Sequence, residues 1–273
     1  MADPAPEVLV EVVDRVAIIT LNRPAQRNAL NRAIRTQLPR AIRDCEAKAD
    51  VDVMILTGAD PAFCAGVDLK EFGSGESTAF GDREPSGDAG ERDRDGRLPY
   101  RGAIPPHTKL LIGAINGVAV TGGFEVALNC DFMIASELAR FADTHARVGV
   151  MPGWGLTVLL AQRVGVARAR QLSVTGNYLD AGRAYEWGLV NEVVPHDQLL
   201  PRCIELARDS VTIDQRAVRR MLATYAEVAD TTVADGWTIE DRVSREWAGS
   251  GYDPAEIESK RAGIVARGRD QVR

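Results

Sequence analysis

The stretch GAINGVAVTGGFEVALNCDF, Gly113 to Phe132, sets a glycine pair, Gly122-Gly123, just ahead of an acid, Glu125. Leu110 to Ile115 is an apolar run that reads as a buried strand, with Asn116-Gly117 as a turn behind it. Phe124, Val126, Ala127, Leu128 and Cys130 then read as a helix that the glycines open. Glu125 falls in its first turn, where unpaired N–H groups and the positive dipole end favour a charged carboxylate. A glycine there lets a ligand approach the main chain, so one turn can supply a polarising N–H and a base together. The competing reading is a plain turn whose glutamate serves only the helix dipole. A second segment, GADPAFCAGVDLKEF from Gly58 to Phe72, repeats the theme. Ala65 and Gly66 are small enough for close backbone approach, which leaves an exposed N–H near Val67, and Asp68 can cap a turn holding Leu69, Lys70 and Glu71.

The surrounding elements must bring these two segments together. Val8 to Val13 and Val16 to Leu21 are β-rich runs around Asp14-Arg15, which predicts an opening hairpin. In NRPAQRNALN, Pro24 stops the strand and Asn31 caps a helix with apolar positions Ile34, Leu38, Ala41, Ile42 and Cys45, which Pro39 should bend or divide. Val53 to Thr57 is a short strand. Residues 73–107 are polar and glycine-rich and read as a long surface loop between the two segments. Beyond the MPGWG turn, Met151 to Gly155, helices are expected at about 156–164, 167–175, 180–187, 197–210, 214–229 and 232–248, with a strand near Leu189 to Val194 and a further helix from Pro254.

The chain of 273 residues, 45% hydrophobic, is long enough for a large core. A net charge of −6 and a pI near 5.3 argue against a nucleic-acid partner. Cys45, Cys64, Cys130 and Cys203 are far apart with no CxxC, which points to reduced thiols in a reducing compartment rather than to disulfides or zinc. His107, His145 and His196 lack ligand spacing, so no metal is expected. No GxSxG elbow, GxGxxG or GxxxxGK[ST] cradle occurs. No apolar run reaches the roughly 20 residues of a membrane span, and MADPAPE lacks a signal-peptide pattern. The expectation is a cytoplasmic protein.

Together, LTGADPAFCAGVDLKEF and AINGVAVTGGFEVALNCDFMIAS resemble the two oxyanion-hole segments of the enoyl-CoA hydratase/isomerase, or crotonase, superfamily, and NRPAQRNAL resembles its coenzyme A loop. The likeness continues through FADTHARVGVMPGWG and LDAGRAYEWGLVNEVVP, covering about residues 8–200. It implies an α/β fold, a spiral of repeated β-β-α units, with residues 1–200 as the core carrying an acyl-CoA site and 201–273 as a helical region for trimer or hexamer formation. It further implies that the backbone N–H groups of Val67 and Gly122 hold the thioester carbonyl. Arg27, Ala29, Ala65, Asp68, Leu69 and Lys70 fall on the substrate-binding segments, with cationic side chains suited to the coenzyme A phosphates. Coenzyme A is then part of the substrate, and no separate cofactor is expected. Trp154 stands where the family more often has a small residue, either narrowing the acyl pocket or packing in the core, and Gly153 can bring another N–H to the reacting centre.

In the family, two glutamates place water, take its proton and deliver a proton to the α-carbon. The first maps onto Glu125; at the second, this chain has His145. Histidine exchanges protons near neutrality, and Asp143 two residues earlier can orient it. Three roles stand for His145: catalytic partner of Glu125, pocket residue without proton transfer, or structural residue bonded to Asp143 or backbone. The implied reaction is addition of water to a 2-enoyl-CoA in fatty acid metabolism. The alternatives are an isomerase working with one base, Glu125, and an acyl-CoA-binding member without turnover.

Overall fold

The computed structural model describes residues 6–73, 103–229, 231–249 and 254–272. Most of the polar interval expected as a surface loop therefore lies outside the described residues. The chain divides into two compact units, Met1–Arg219 and Arg220–Arg273.

The first unit opens with the expected hairpin, β1 (Val8–Val13) against β2 (Val16–Leu21), turning through Asp14 and Arg15, both at positive φ. A 3-10 turn at Pro24–Gln26 leads into α1 (Arg32–Ala47), whose cap is Asn31, its side chain accepting the Ile34 N–H. Of the two effects expected of Pro39, a division of α1 does not occur. The proline removes one N–H from the helix, but Ile34, Leu38, Ala41, Ile42 and Cys45 are all buried on one face, and that packing carries the helix through.

Then come β3 (Val53–Gly58), β4 (Ala62–Cys64), α2 (Leu69–Gly73), β5 (Leu110–Ile115), β6 (Val118–Val120), α3 (Gly122–Leu128), β7 (Phe132–Ser136) and β8 (Arg140–Ala142). Short helices follow, α4 (His145–Val148), α5 (Leu156–Val164) and α6 (Val166–Thr175), then β9 (Leu179–Asp180), α7 (Ala181–Glu186), β10 (Glu192–Val194) and α8 (Leu199–Val211). A six-stranded sheet has the order β1-β2-β3-β5-β7-β10, parallel from β2 onward, and a four-stranded sheet has the order β4-β6-β8-β9. Successive turns put one strand in each sheet, β3 then β4, β5 then β6, β7 then β8, which is the expected spiral of β-β-α units. β5 is buried throughout, as an unbroken apolar run in a parallel sheet covered on both faces should be. α1 packs on β1 and β2, and α8 packs across β2, β3, β5 and β7.

The second unit is helical. α9 (Gln215–Ala229) crosses the division, and α10 (Val233–Gly249) and α11 (Pro254–Gln271) follow, close to their expected ranges. Within it Arg242 of α10 pairs with both Glu227 and Glu246.

Candidate active site

The segment from Asn22 to Leu30 and the Val67 segment run side by side. Ala65 N–H donates to the Arg27 carbonyl, Leu30 N–H to the Gly66 carbonyl, and Asp68 N–H to the Leu30 carbonyl, a parallel bridge centred on Leu30 and Val67. Asn28 locks this arrangement. Fully buried and at φ +55, it accepts the Arg23 N–H and donates to the carbonyls of Ala59 and Ala62. Arg23 adds a 2.6 Å ion pair to Asp68 and a hydrogen bond to the Ala29 carbonyl.

In that bridge the bonds are made by the residues flanking Val67, so Val67's own N–H faces away from Leu30, and Val67 also lines a cavity. Gly122 is the first residue of α3, where an N–H has no acceptor within the helix. The two positions are neighbours: a Cβ built on Gly122 would lie 3.6 Å from Val67 Cγ2. Gly123 has a separate cause. Any Cβ there would come within 2.3 Å of the Cys64 carbonyl oxygen, so the glycine lets α3 sit directly on β4. Thr121, just before the pair, holds φ 53 and ψ −116, a backbone that costs a β-branched residue about 1–3 kcal/mol. Its hydroxyl bonds that of Thr144.

Glu125 is 3% exposed, with its two oxygens put to different uses. Oε1 accepts the N–H groups of Gly153 (3.2 Å), Trp154 (2.7 Å) and Leu156 (3.4 Å), a ring of donors at the start of α5, where the helix dipole also favours negative charge. Asn129 fixes the same turn by donating to the carbonyls of both Glu125 and Trp154. Oε2 faces His145 Nε2 at 3.4 Å, longer than a strong hydrogen bond and in contact range for an ion pair. On its other side, His145 Nδ1 lies 2.6 Å from Asp143 Oδ1, which also accepts the His145 backbone N–H.

The electrostatics follow from this sandwich. Burial works against the imidazolium, but the hydrogen bonds and charges of Asp143 and Glu125 outweigh it and push the His145 pKa up to about 9. For Asp143, burial disfavours the charge, yet bonds from His145 and Ser173 hold it below the usual carboxylate range. At neutral pH His145 is thus an imidazolium beside an ionised Asp143, with Nδ1–H directed at Asp143 and Nε2–H toward Glu125.

A cavity of about 620 Å³, part of it continuous with solvent, collects these groups: Glu125, His145, Val67, Ala65, Leu69 and Trp154 all line it. Arg27, Lys70 and Ala29 lie on the adjoining segments, the first two exposed. Asp68 does not line the cavity; its carboxylate takes Arg23 and caps α2 through the Lys70 N–H. Thr121, Thr144, Val148, Val150 and Met151 line it as well, and sequence reasoning passed over them. The Thr121-Thr144 contact had no signal beyond Thr121's place before a glycine pair. A Ser-His-Asp alignment also exists, with Ser136 Oγ 3.0 Å from His196 Nδ1 and His196 Nε2 3.1 Å from Asp60 Oδ2. Ser136 is fully buried and also accepts the Leu138 N–H, so this alignment ties the end of β7 to the turn after β10 rather than offering a nucleophile.

A family described as enoyl-CoA hydratase/isomerase matches residues 11–249. A probable peroxisomal enoyl-CoA hydratase of Arabidopsis thaliana is 35% identical over 93% of this chain and 90% of its own length. A crotonyl-CoA hydratase of Syntrophomonas wolfei is 32% identical over 85% of this chain and 86% of its own. Among solved structures, an enoyl-CoA hydratase of Mycobacterium tuberculosis H37Rv is 47% identical, covers 88% of this chain and 98% of that one, and superposes with a TM-score of 0.72.

Proposed function

The chain belongs to the enoyl-CoA hydratase/isomerase family, and from that premise we propose that it adds water across the double bond of a 2-enoyl-CoA. The observation that carries this reading is the 3.4 Å approach of Glu125 Oε2 to His145 Nε2 in one cavity. Moving a double bond needs one base; adding water needs one group to take a proton and another to give one. Here a carboxylate and an imidazolium stand side by side.

In the proposed sequence the thioester oxygen rests against the N–H groups of Val67 and Gly122. Glu125 Oε2 takes a proton from water as its oxygen bonds to the β-carbon, and the electron pair of the double bond shifts to give an enolate on the thioester oxygen. Two amide donors suit that charge, and losing one such donor typically costs about 3 to 4 kcal/mol. The enolate then collapses as His145 Nε2–H delivers its proton to the α-carbon. The proton on Glu125 returns to His145 across the short gap, and Asp143 keeps the ring in register throughout. Glu125 Oε1, tied to three amides, holds the carboxylate still while Oε2 works. Coenzyme A travels with the substrate, its phosphates near Arg27 and Lys70, and the reaction calls for no further cofactor.

A trimer or hexamer is the proposed assembly, supported by large apolar side chains left exposed on the C-terminal helices, Met221, Tyr225 and Trp237 among them. Fatty acid metabolism is the proposed setting. Cytoplasmic residence is inferred from four free, buried cysteines; among the described residues, no helix is long and apolar enough to cross a membrane.

The test is a product analysis of purified protein with 2-enoyl-CoA and 3-enoyl-CoA panels in isotopically heavy water. Uptake of one labelled oxygen is the expected result. A rearranged product of unchanged mass would transfer the assignment to isomerisation, and tight binding without product would make the protein a carrier.

A further inference from the structure

Trp154 has two separable jobs. Its main chain belongs to the acid-base site, N–H on Glu125 Oε1 and carbonyl on Asn129. Its indole points elsewhere: Cζ3 lies 3.4 Å from where a Cβ on Gly122 would be, beside Leu30 Cδ1 at 3.2 Å from the same point. The ring therefore stands beside the residue whose amide is proposed to hold the thioester oxygen. Behind it is a second, partly solvent-open space of about 270 Å³, walled by Ile34, Leu38 and Pro39 of α1 and by Val126 of α3, with Arg35 within 3.8 Å of Glu71. Among the described residues, Trp154 is the one that lines both this space and the reaction cavity.

The geometry points to Trp154 as a partition that ends the acyl site, so that the enzyme takes short-chain 2-enoyl-CoAs and the apolar space behind the indole is an extension of that site from which the indole bars the chain. This rests on the hydratase reading for its reaction but not for its geometry. A substrate whose carbonyl oxygen sits at Gly122 and whose α- and β-carbons face His145 and Glu125 runs its next carbons toward the indole. Of the walls beyond, Leu30, Ile34, Leu38 and Val126 are aliphatic and buried, as an alkyl tail requires. A smaller side chain joins the two spaces without deleting any main-chain donor to Glu125. Each methylene then admitted to apolar surroundings improves affinity about fourfold.

The experiment compares native protein, Trp154→Ala and Trp154→Phe in two assays. The first is kcat/KM for hydration of butenoyl-, octenoyl- and decenoyl-CoA. The second is equilibrium binding of the saturated butyryl-, octanoyl- and decanoyl-CoA, which undergo no hydration. Native protein should prefer the butyl members in both assays. Trp154→Ala should raise the octyl-to-butyl ratio by about tenfold or more, chiefly through KM, since only two or three newly buried methylenes suffice for that. Trp154→Phe should stay near the native ratio. Native preference for long chains, or an unchanged ratio in a folded Trp154→Ala protein, would overturn the partition. If water addition fails but the binding ratios shift as stated, the hydratase reading falls and the partition stands; if hydration proceeds with no shift, the reverse holds.

Discussion

The charge state of His145 makes a quantitative prediction. Its pKa in the folded protein is raised to about 9 from an ordinary 6.5, so its contribution to stability is complete below about pH 6.5 and is lost as pH rises through about 9. At 1.36 kcal/mol per pH unit that difference is about 3 kcal/mol at full value, and roughly 1 to 2 kcal/mol once solvent at the cavity mouth screens the charges. For a chain of this size the loss is worth a few degrees in Tm. The perturbation is His145→Gln, which keeps polar reach and removes the charge. Asp143 and Glu125 then face each other, both 3% exposed at the side chain, with no cation between them, at a cost of about 3 kcal/mol near neutrality. Proton uptake relieves that cost, so the variant should gain stability as pH falls while native protein should lose it between pH 8 and 10. Thermal melts from pH 5 to 10 read the difference between the two proteins, which cancels groups titrating in both. Hydration by native protein should fall along the same alkaline limb, because deprotonated His145 has no Nε2 proton to give. An alkaline loss of Tm equal in native and His145→Gln proteins would refute the imidazolium between two carboxylates.

Glu125→Gln should lower turnover about a thousandfold, within the range for a lost proton-transfer group, while the fold persists because an amide oxygen can still accept the Trp154 N–H. Unchanged turnover would remove Glu125 from the mechanism. Asn28→Ala should cost about 3 kcal/mol or more, since it strands one N–H and two carbonyls whose partner is fully buried. Thermal melting reads that loss, and acyl-CoA titration should show weakened binding as the loop carrying Arg27 loosens. A melting temperature equal to native would show that the loop is held by other contacts.

What the sequence disclosed was whatever is encoded over a few consecutive residues. The hairpin from Val8 to Leu21, the strand from Leu110 to Ile115 and the first turn of α3 are local patterns, and they appear at those positions. The four-stranded sheet was not legible. Strands of three residues such as Ala62–Cys64 and Val118–Val120 are too short to show a period, and only their stacking in successive turns makes them strands. Pro39 is the opposite case: of the bend or division that its local signal allows, the division yields to the buried face of the helix that contains it.

The site divides along the same line. Val67 and Gly122 are proposed to act through main-chain groups that a bridge and a helix start position, so short motifs suffice to nominate them. His145 was found by its position, but its charge depends on Glu125 meeting it from another element, 20 residues away in sequence and 3.4 Å away in space. Trp154 combines both kinds of information. Its N–H on Glu125 comes with the turn and survives any side chain there except proline, whereas its indole matters only because α1 leaves an apolar space behind it. Side-chain variation at that position can therefore change which acyl chains fit while leaving the proton-handling groups in place. That separation explains how one catalytic frame can serve different chain lengths, and it is why substrate length is the property a short motif discloses least.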